Sequence, residues 1–281
     1  MRAEVPAWLP HPDVWMLVAG LVTAYAVAVT RLGPRLAPDP DHPTTRLQRV
    51  ALGMAALAVL VASDWPIHDV AEGYLYSVHM AQHLTFSMVV APLLLIATPA
   101  WLLRAILLRL HALGLVRWLA RFLPATLVFN VMLVATHLPP VVDRAVRNPL
   151  VHFGLHTLVV LSALVVWLPV LSPLPEIPRL FAPLGMLYLF LQSILPTVPA
   201  AWLTYNDKVL YDVYAGFDRL WGVSAISDMR LAGVVMKTAA GLLSWIVIAI
   251  VFFRWYASEE PDRRPGRASR DLDRELMGLS S

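Results

Sequence analysis

Apolar residues fall into seven long runs separated by short polar stretches. The runs cover roughly Val14–Thr30, Arg49–Ser63, Ser77–Thr98, Phe122–Leu138, Leu150–Leu171, Leu180–Leu203 and Leu231–Phe253. Each is close to the ~17–25 residues a helix needs to cross a bilayer, the second and fourth being short. A backbone in lipid must satisfy its own hydrogen bonds, so helices are the form expected. Prolines mark the ends of runs at Pro34, Pro66, Pro99, Pro139, Pro140, Pro173 and Pro175. Pro92, Pro183 and Pro196 lie inside runs, where each kinks or reorients a helix. The pattern predicts an all-α fold, a polytopic integral membrane protein with seven transmembrane helices in a single domain over residues 1–255. The start, "MRAEVPAWLPHPD", lacks the basic-then-apolar layout of a cleaved signal, so the first span is expected to be retained. Residues 256–281 read as a polar, poorly ordered cytoplasmic tail.

Composition agrees: 58% of residues are hydrophobic and 15% charged, more apolar surface than a soluble domain of this size needs. The basic residues give an orientation. Arg31, Arg35, Arg46 and Arg49 follow the first run, Arg104, Arg109, Arg117 and Arg121 the third, and Arg179 the fifth. Six more, from Arg254 to Arg274, follow the seventh. About 15 Lys and Arg thus fall on one side against about 6 on the other, which predicts an outward amino terminus and a cytoplasmic carboxyl terminus. The expected location is a membrane crossed several times, with the lipid bilayer as an obligate partner and no nucleic acid. There is no cysteine, so disulfides, thiolate metal sites and cysteine nucleophiles are excluded.

In this topology seven of the nine histidines lie at the outer ends of spans or in outer loops, His42 and His111 being the cytoplasmic exceptions. His79 and His83 open the third span, His137 closes the fourth, and His152 and His156 open the fifth. Histidine was not counted as basic in setting the topology, so this clustering is an independent result. His79 and His83 are spaced i, i+4 and share a helix face, and His152 and His156 repeat the spacing. Two imidazoles so placed form half of a metal site. Imidazole suits copper and zinc, while the thioether of Met80 favours Cu(I). Asp64 and Asp228, at outer span ends, are candidates to ligate or to orient an imidazole, and Gln82 lies between the first pair.

Other polar and aromatic positions have plainer readings. Methionines in such a chain mostly pack. Trp65, Trp101, Trp118, Trp167, Trp202, Trp221 and Trp255 read as interfacial belt residues. Arg104 to Arg121 has the look of an amphipathic helix on the inner surface, or simply of a basic loop that sets topology. Lys237 lies about two turns into the seventh run and is expected either to snorkel outward or to pair with an acid such as Asp228.

Several blocks carry a resemblance. "YSVHMAQHLTFSMVVAPLLLIATPAW" resembles the H-M-x-x-H block of the bacterial cytochrome c oxidase assembly factor CtaG family, which serves caa3-type oxidases. "VFNVMLVATHLPPVVDRAVRNPLVHFGLHTLVVLSALVVWLPVL" resembles its fourth and fifth spans. "LYDVYAGFDRLWGVSAISDMRLAGVVMKTAAGL" resembles its turn into the last span, with Met229 where family members often carry Gln. The resemblance covers roughly Asp64 to Trp255. It implies a seven-helix, non-enzymatic protein of the bacterial plasma membrane that assembles a haem–copper oxidase, with the oxidase subunits as partners and copper as a transient cargo.

The expected site therefore comprises His79, His83, His152, His156, His137 and Met80, supported by Asp64, Asp228, Gln82 and Lys237. Two other classes fit the same residues. One is a seven-helix, ceramidase-like hydrolase that uses zinc to activate water, in which Ser77 or Ser87 and Asp64 matter. The other is a haem- or quinone-binding protein with axial imidazoles from facing helices. The i, i+4 pairing speaks against haem, because two ligands on one helix face cannot reach opposite haem faces.

Overall fold

The computed structural model describes residues 6–259. The expected tail lies outside them apart from its first four residues, which continue the last helix. Among the described residues the chain is all-helical, without a strand. Six helices among the described residues are long and apolar enough to cross a membrane. They are α1 (Pro12–Leu36), α2 (Arg46–Ser63), the rod Tyr76–Ala97, α10 (Pro149–Leu171), the rod Ala182–Tyr205 and α14 (Ala225–Glu259).

Local chemistry explains their ends. α1 starts with Pro12 at its first position, where a missing N–H costs nothing. α2 starts in a capping box: Thr45 accepts from the Gln48 N–H, and the Gln48 side chain accepts from the Thr45 N–H. The rod Tyr76–Ala97 has three parts: α4 (Tyr76–Leu84), a π-helical stretch Thr85–Val90, and α5 (Ala91–Ala97). Pro92 accounts for the middle part. The Ala91 N–H reaches back to Phe86 O and Pro92 has no N–H to offer, which frees Ser87 O to accept from the Trp167 indole at 2.8 Å.

The rod Ala182–Tyr205 breaks at Leu195 and Pro196 into α11 (Ala182–Ile194) and α12 (Thr197–Tyr205). Lys237 serves that break. Its Nζ donates to Ser193 O at 3.1 Å and to Thr197 Oγ1 at 2.6 Å. It therefore neither snorkels outward nor pairs with Asp228. A cation in the bundle is held by a carbonyl and a hydroxyl that the proline break leaves available.

The fourth expected span is shorter than expected. α8 (Phe122–Thr136) has 15 residues, about 22 Å at the usual rise, and meets α7 (Leu113–Leu119) at a bend of 83°. The basic stretch before it is not one amphipathic helix. It divides into α6 (Ala100–Arg109) and α7, separated at His111, whose φ of 52° no helix tolerates. Short helices α3 (Ile67–Gly73), α9 (Pro139–Arg147) and α13 (Asp212–Ala215) lie in the connections at the other end.

Two tryptophans read as belt residues are interior. Trp167 is buried beside the π-helical stretch, and buried Trp101 donates to Pro43 O. The largest apolar core joins α5, α8, α10 and α11 around Leu95, Ala125, Trp167 and Tyr188. A second core joins α4, α9, α12 and α14 around Tyr76, Met80, Leu203, Tyr211 and Met236. Val131, Leu150 and Phe253 are exposed, as apolar side chains facing lipid are.

Candidate metal centre

The first turns of α4 and α10 and the last turn of α8 meet at one end of the bundle, and each delivers histidine there. α4 has no side-chain cap of its own, because Leu75 precedes it. Asp228 of α14 supplies one. Its carboxylate, 1% exposed, accepts from the Tyr76 N–H at 2.6 Å and the Ser77 N–H at 3.1 Å. An anion there satisfies two orphan donors and the positive end of the helix dipole. Tyr76 then stacks on His79 with ring centroids 5.8 Å apart. Asp228 thus positions the histidine helix through its backbone and does not touch an imidazole.

The four paired histidines converge. His156 Nε2 lies 3.0 Å from His152 Nε2 and 3.0 Å from His83 Nε2. Ligand nitrogens of His79, His83 and His156 all lie within 4.8 Å of one another. His79 and His152 are buried, and His79 Nδ1 has no hydrogen-bond partner. Ligand nitrogens about 2.0–2.1 Å from a tetrahedral ion stand about 3.3–3.4 Å apart. The 3.0 Å spacings at His156 are within hydrogen-bond reach and place these nitrogens close enough to share an ion.

Glu72, which the apolar pattern gave no reason to single out, orients this group. Its Oε1 accepts from His152 Nδ1 at 2.6 Å and lies 3.3 Å from His68 Nε2. A carboxylate on Nδ1 fixes the tautomer and leaves His152 Nε2 free to ligate. The signal was present as His68 and Glu72 at i, i+4, but in a connection whose helix α3 is only seven residues long. Burial pushes the His68 imidazole below its ordinary value, opposed by the Glu72 charge. His11 continues the series outward, 3.1 Å from Asp69 and with its ring 4.8 Å from that of His68.

The remaining expected residues lie apart from the four imidazoles. His137, 2% exposed, has its ring 6.4 Å from that of His83 and its Nε2 3.2 Å from Met80 Sδ. Gln82 donates to Ala62 O at 2.6 Å, tying α4 to the end of α2. Asp64 caps that end and accepts from the Trp15 indole at 2.7 Å, which holds its carboxyl below the usual range. Ser87 Oγ bonds back to His83 O within its own helix. Lys237 is at the α11–α12 break.

No curated protein and no solved structure matches the chain. The model of the cytochrome c oxidase caa3 assembly factor family (Caa3_CtaG) matches residues 23–258, from the first span to the end of the last and including every histidine at the site. With most of its length matched, and with the histidine-bearing helices inside the match, the chain belongs to the cytochrome c oxidase caa3 assembly factor family.

Proposed function

We propose that this protein captures copper at the His79–His83–His152–His156 cluster, with His137 and Met80 at its edge, and passes the ion to a haem–copper oxidase subunit in the plasma membrane. The observation that carries the reading is the approach of three ring nitrogens at His156 beside the unpartnered His79 Nδ1. Neutral imidazoles with one hydrogen each cannot satisfy all those contacts by hydrogen bonding, whereas one cation accepts every lone pair. A carrier needs ligands that exchange, and a set of neutral imidazoles with its nearest carboxylate outside the set meets that need. The role is that of a carrier in assembly and not of a catalyst.

The purified full chain should bind copper, and the His79→Ala, His83→Ala double variant should lose the copper held at the imidazole cluster and retain at most about half as much. Elemental analysis after equilibration with copper checks this; equal copper in both proteins removes the pair from the site. Zinc retained in place of copper, together with turnover of an amide lipid, would favour the hydrolase reading.

Seven crossings, with α8 as the fourth, an outward amino terminus and a cytoplasmic carboxyl terminus, complete the proposal. They rest on the distribution of arginine. Because the chain has no cysteine, one introduced thiol is a unique reporter. Asp207→Cys, at a side chain 94% exposed, should react with a membrane-impermeant maleimide in intact cells. Asp41→Cys, in the exposed connection between α1 and α2, should react only after lysis. The reverse pattern would invert the topology.

A further inference from the structure

Next to the imidazole cluster lies a cavity of about 40 Å³ whose lining includes His83, His137, Met80, Met132 and Met236. Three of the chain's ten methionines therefore share one small space. Methionine ordinarily packs, but here the sulfur of Met80 has a specific neighbour. His137 Nδ1 lies 2.6 Å from Leu133 O. A carbonyl only accepts, so Nδ1 carries the hydrogen and Nε2 of the neutral ring carries a lone pair. That lone pair lies 3.2 Å from Met80 Sδ, itself an acceptor. Two buried acceptors face each other, on the wall of a space that two further methionines line.

We propose that this cavity is a second metal station, selective for Cu(I), in which His137 Nε2 and Met80 Sδ are ligands and Met132 and Met236 supply further thioethers. The inference rests on the copper reading above and adds an inner site and a filter to it. The outer imidazoles accept zinc as well as copper, whereas thioethers discriminate in favour of cuprous ion. His83 joins the two stations, because it lies 3.0 Å from His156 Nε2 on one side and lines the cavity on the other. The ion travels as Cu(I) throughout, exchanging one neutral ligand for another, so no electron or proton need move with it.

The test uses the full chain in detergent, loaded anaerobically with Cu(I) against a chromophoric cuprous chelator and examined by X-ray absorption at the copper edge. The wild type should hold about two Cu(I), with sulfur in the first coordination shell, and about one Zn(II). The Met80→Leu, Met132→Leu, Met236→Leu variant, which conserves side-chain volume, should hold about one Cu(I) with no sulfur signal and the same zinc. The His152→Ala, His156→Ala variant should lose zinc and keep the sulfur signal. Copper in the wild type bound by nitrogen alone would overturn the inner station and leave the outer one standing. A wild type that binds no Cu(I) at all would overturn both. The wild-type sulfur signal is decisive even if the triple variant does not fold.

Discussion

Replacing Asp228 with alanine should be among the most damaging single changes in the protein, although the residue touches no imidazole. The substitution strips two buried backbone N–H groups, at Tyr76 and Ser77, of their only side-chain acceptor. Water has little access, since Asp228 is 1% exposed and Tyr76 is fully buried. Hydrogen bonds to a charged acceptor contribute about 1.5–3 kcal/mol each, and orphaned buried donors cost a comparable amount, so the expected loss is about 3–5 kcal/mol. Asp228→Asn keeps one acceptor and turns a donor toward the other N–H, so it should fall between the two. The expected readout is a lowered melting temperature in detergent together with lost copper binding, because His79 sits one turn beyond the unpinned residues and stacks on Tyr76. Wild-type stability in Asp228→Ala would remove the cross-helix cap from the account.

The second large effect is expected at Gly233. A Cβ there would come within 2.6 Å of Ala200 O and 3.1 Å of Leu203 Cβ, and would collide with Thr204 Oγ1. Thr204 can rotate, but the Ala200 carbonyl is backbone within α12 and moves only if the helix does. α12 and α14 are thus in contact through a position where only glycine fits, the close approach that small residues permit between membrane helices. Gly233→Ala should cost about 1–3 kcal/mol, and Gly233→Val more, with faster proteolysis of the detergent-solubilised protein as the measurement. The neighbouring Gly241 faces open space, so Gly241→Ala should leave proteolysis unchanged.

Much of this architecture was legible in the sequence because membrane helices announce themselves by uninterrupted apolar length. The six long helices fall on six of the seven runs. The run ending at Leu138 was the least regular because α8 ends at Thr136 and bends sharply from α7, and a hydropathy run carries no information about a bend. The His79–His83 and His152–His156 pairs were legible for the same reason as any helix face: the spacing i, i+4 fixes it. Their meeting required only that two helix ends lie on the same side.

What the sequence hid were partnerships between residues far apart in it. Asp228 was recognisable as an unusual acid, but its partners are backbone groups 152 and 151 residues away. Lys237 is expected from the sequence either to snorkel outward or to pair with an acid, and it instead donates to a carbonyl and a hydroxyl at a proline break. Trp101 and Trp167 matched the composition of an interfacial belt, yet both are buried and each donates its indole N–H to a backbone carbonyl, Trp101 to Pro43 in the α1–α2 connection and Trp167 to Ser87 in the bundle. Glu72 does not stand out in the sequence because carboxylates in a polar connection are ordinary, and only the 2.6 Å contact with His152 distinguishes this one.

The π-helical stretch Thr85–Val90 sets a phase between the two halves of its rod. A wide turn inserts one residue into the helical count, which rotates everything beyond it by about 100° relative to an uninterrupted helix. The histidines of α4 lie before the wide turn and the packing face of α5 lies after it. α5 can therefore fill the apolar core while the half above points its imidazoles at α10, an alignment that one regular helix with this sequence could not provide on both levels at once. The wide turn works as an angular offset between a half that fills the apolar core and a half that carries the imidazoles.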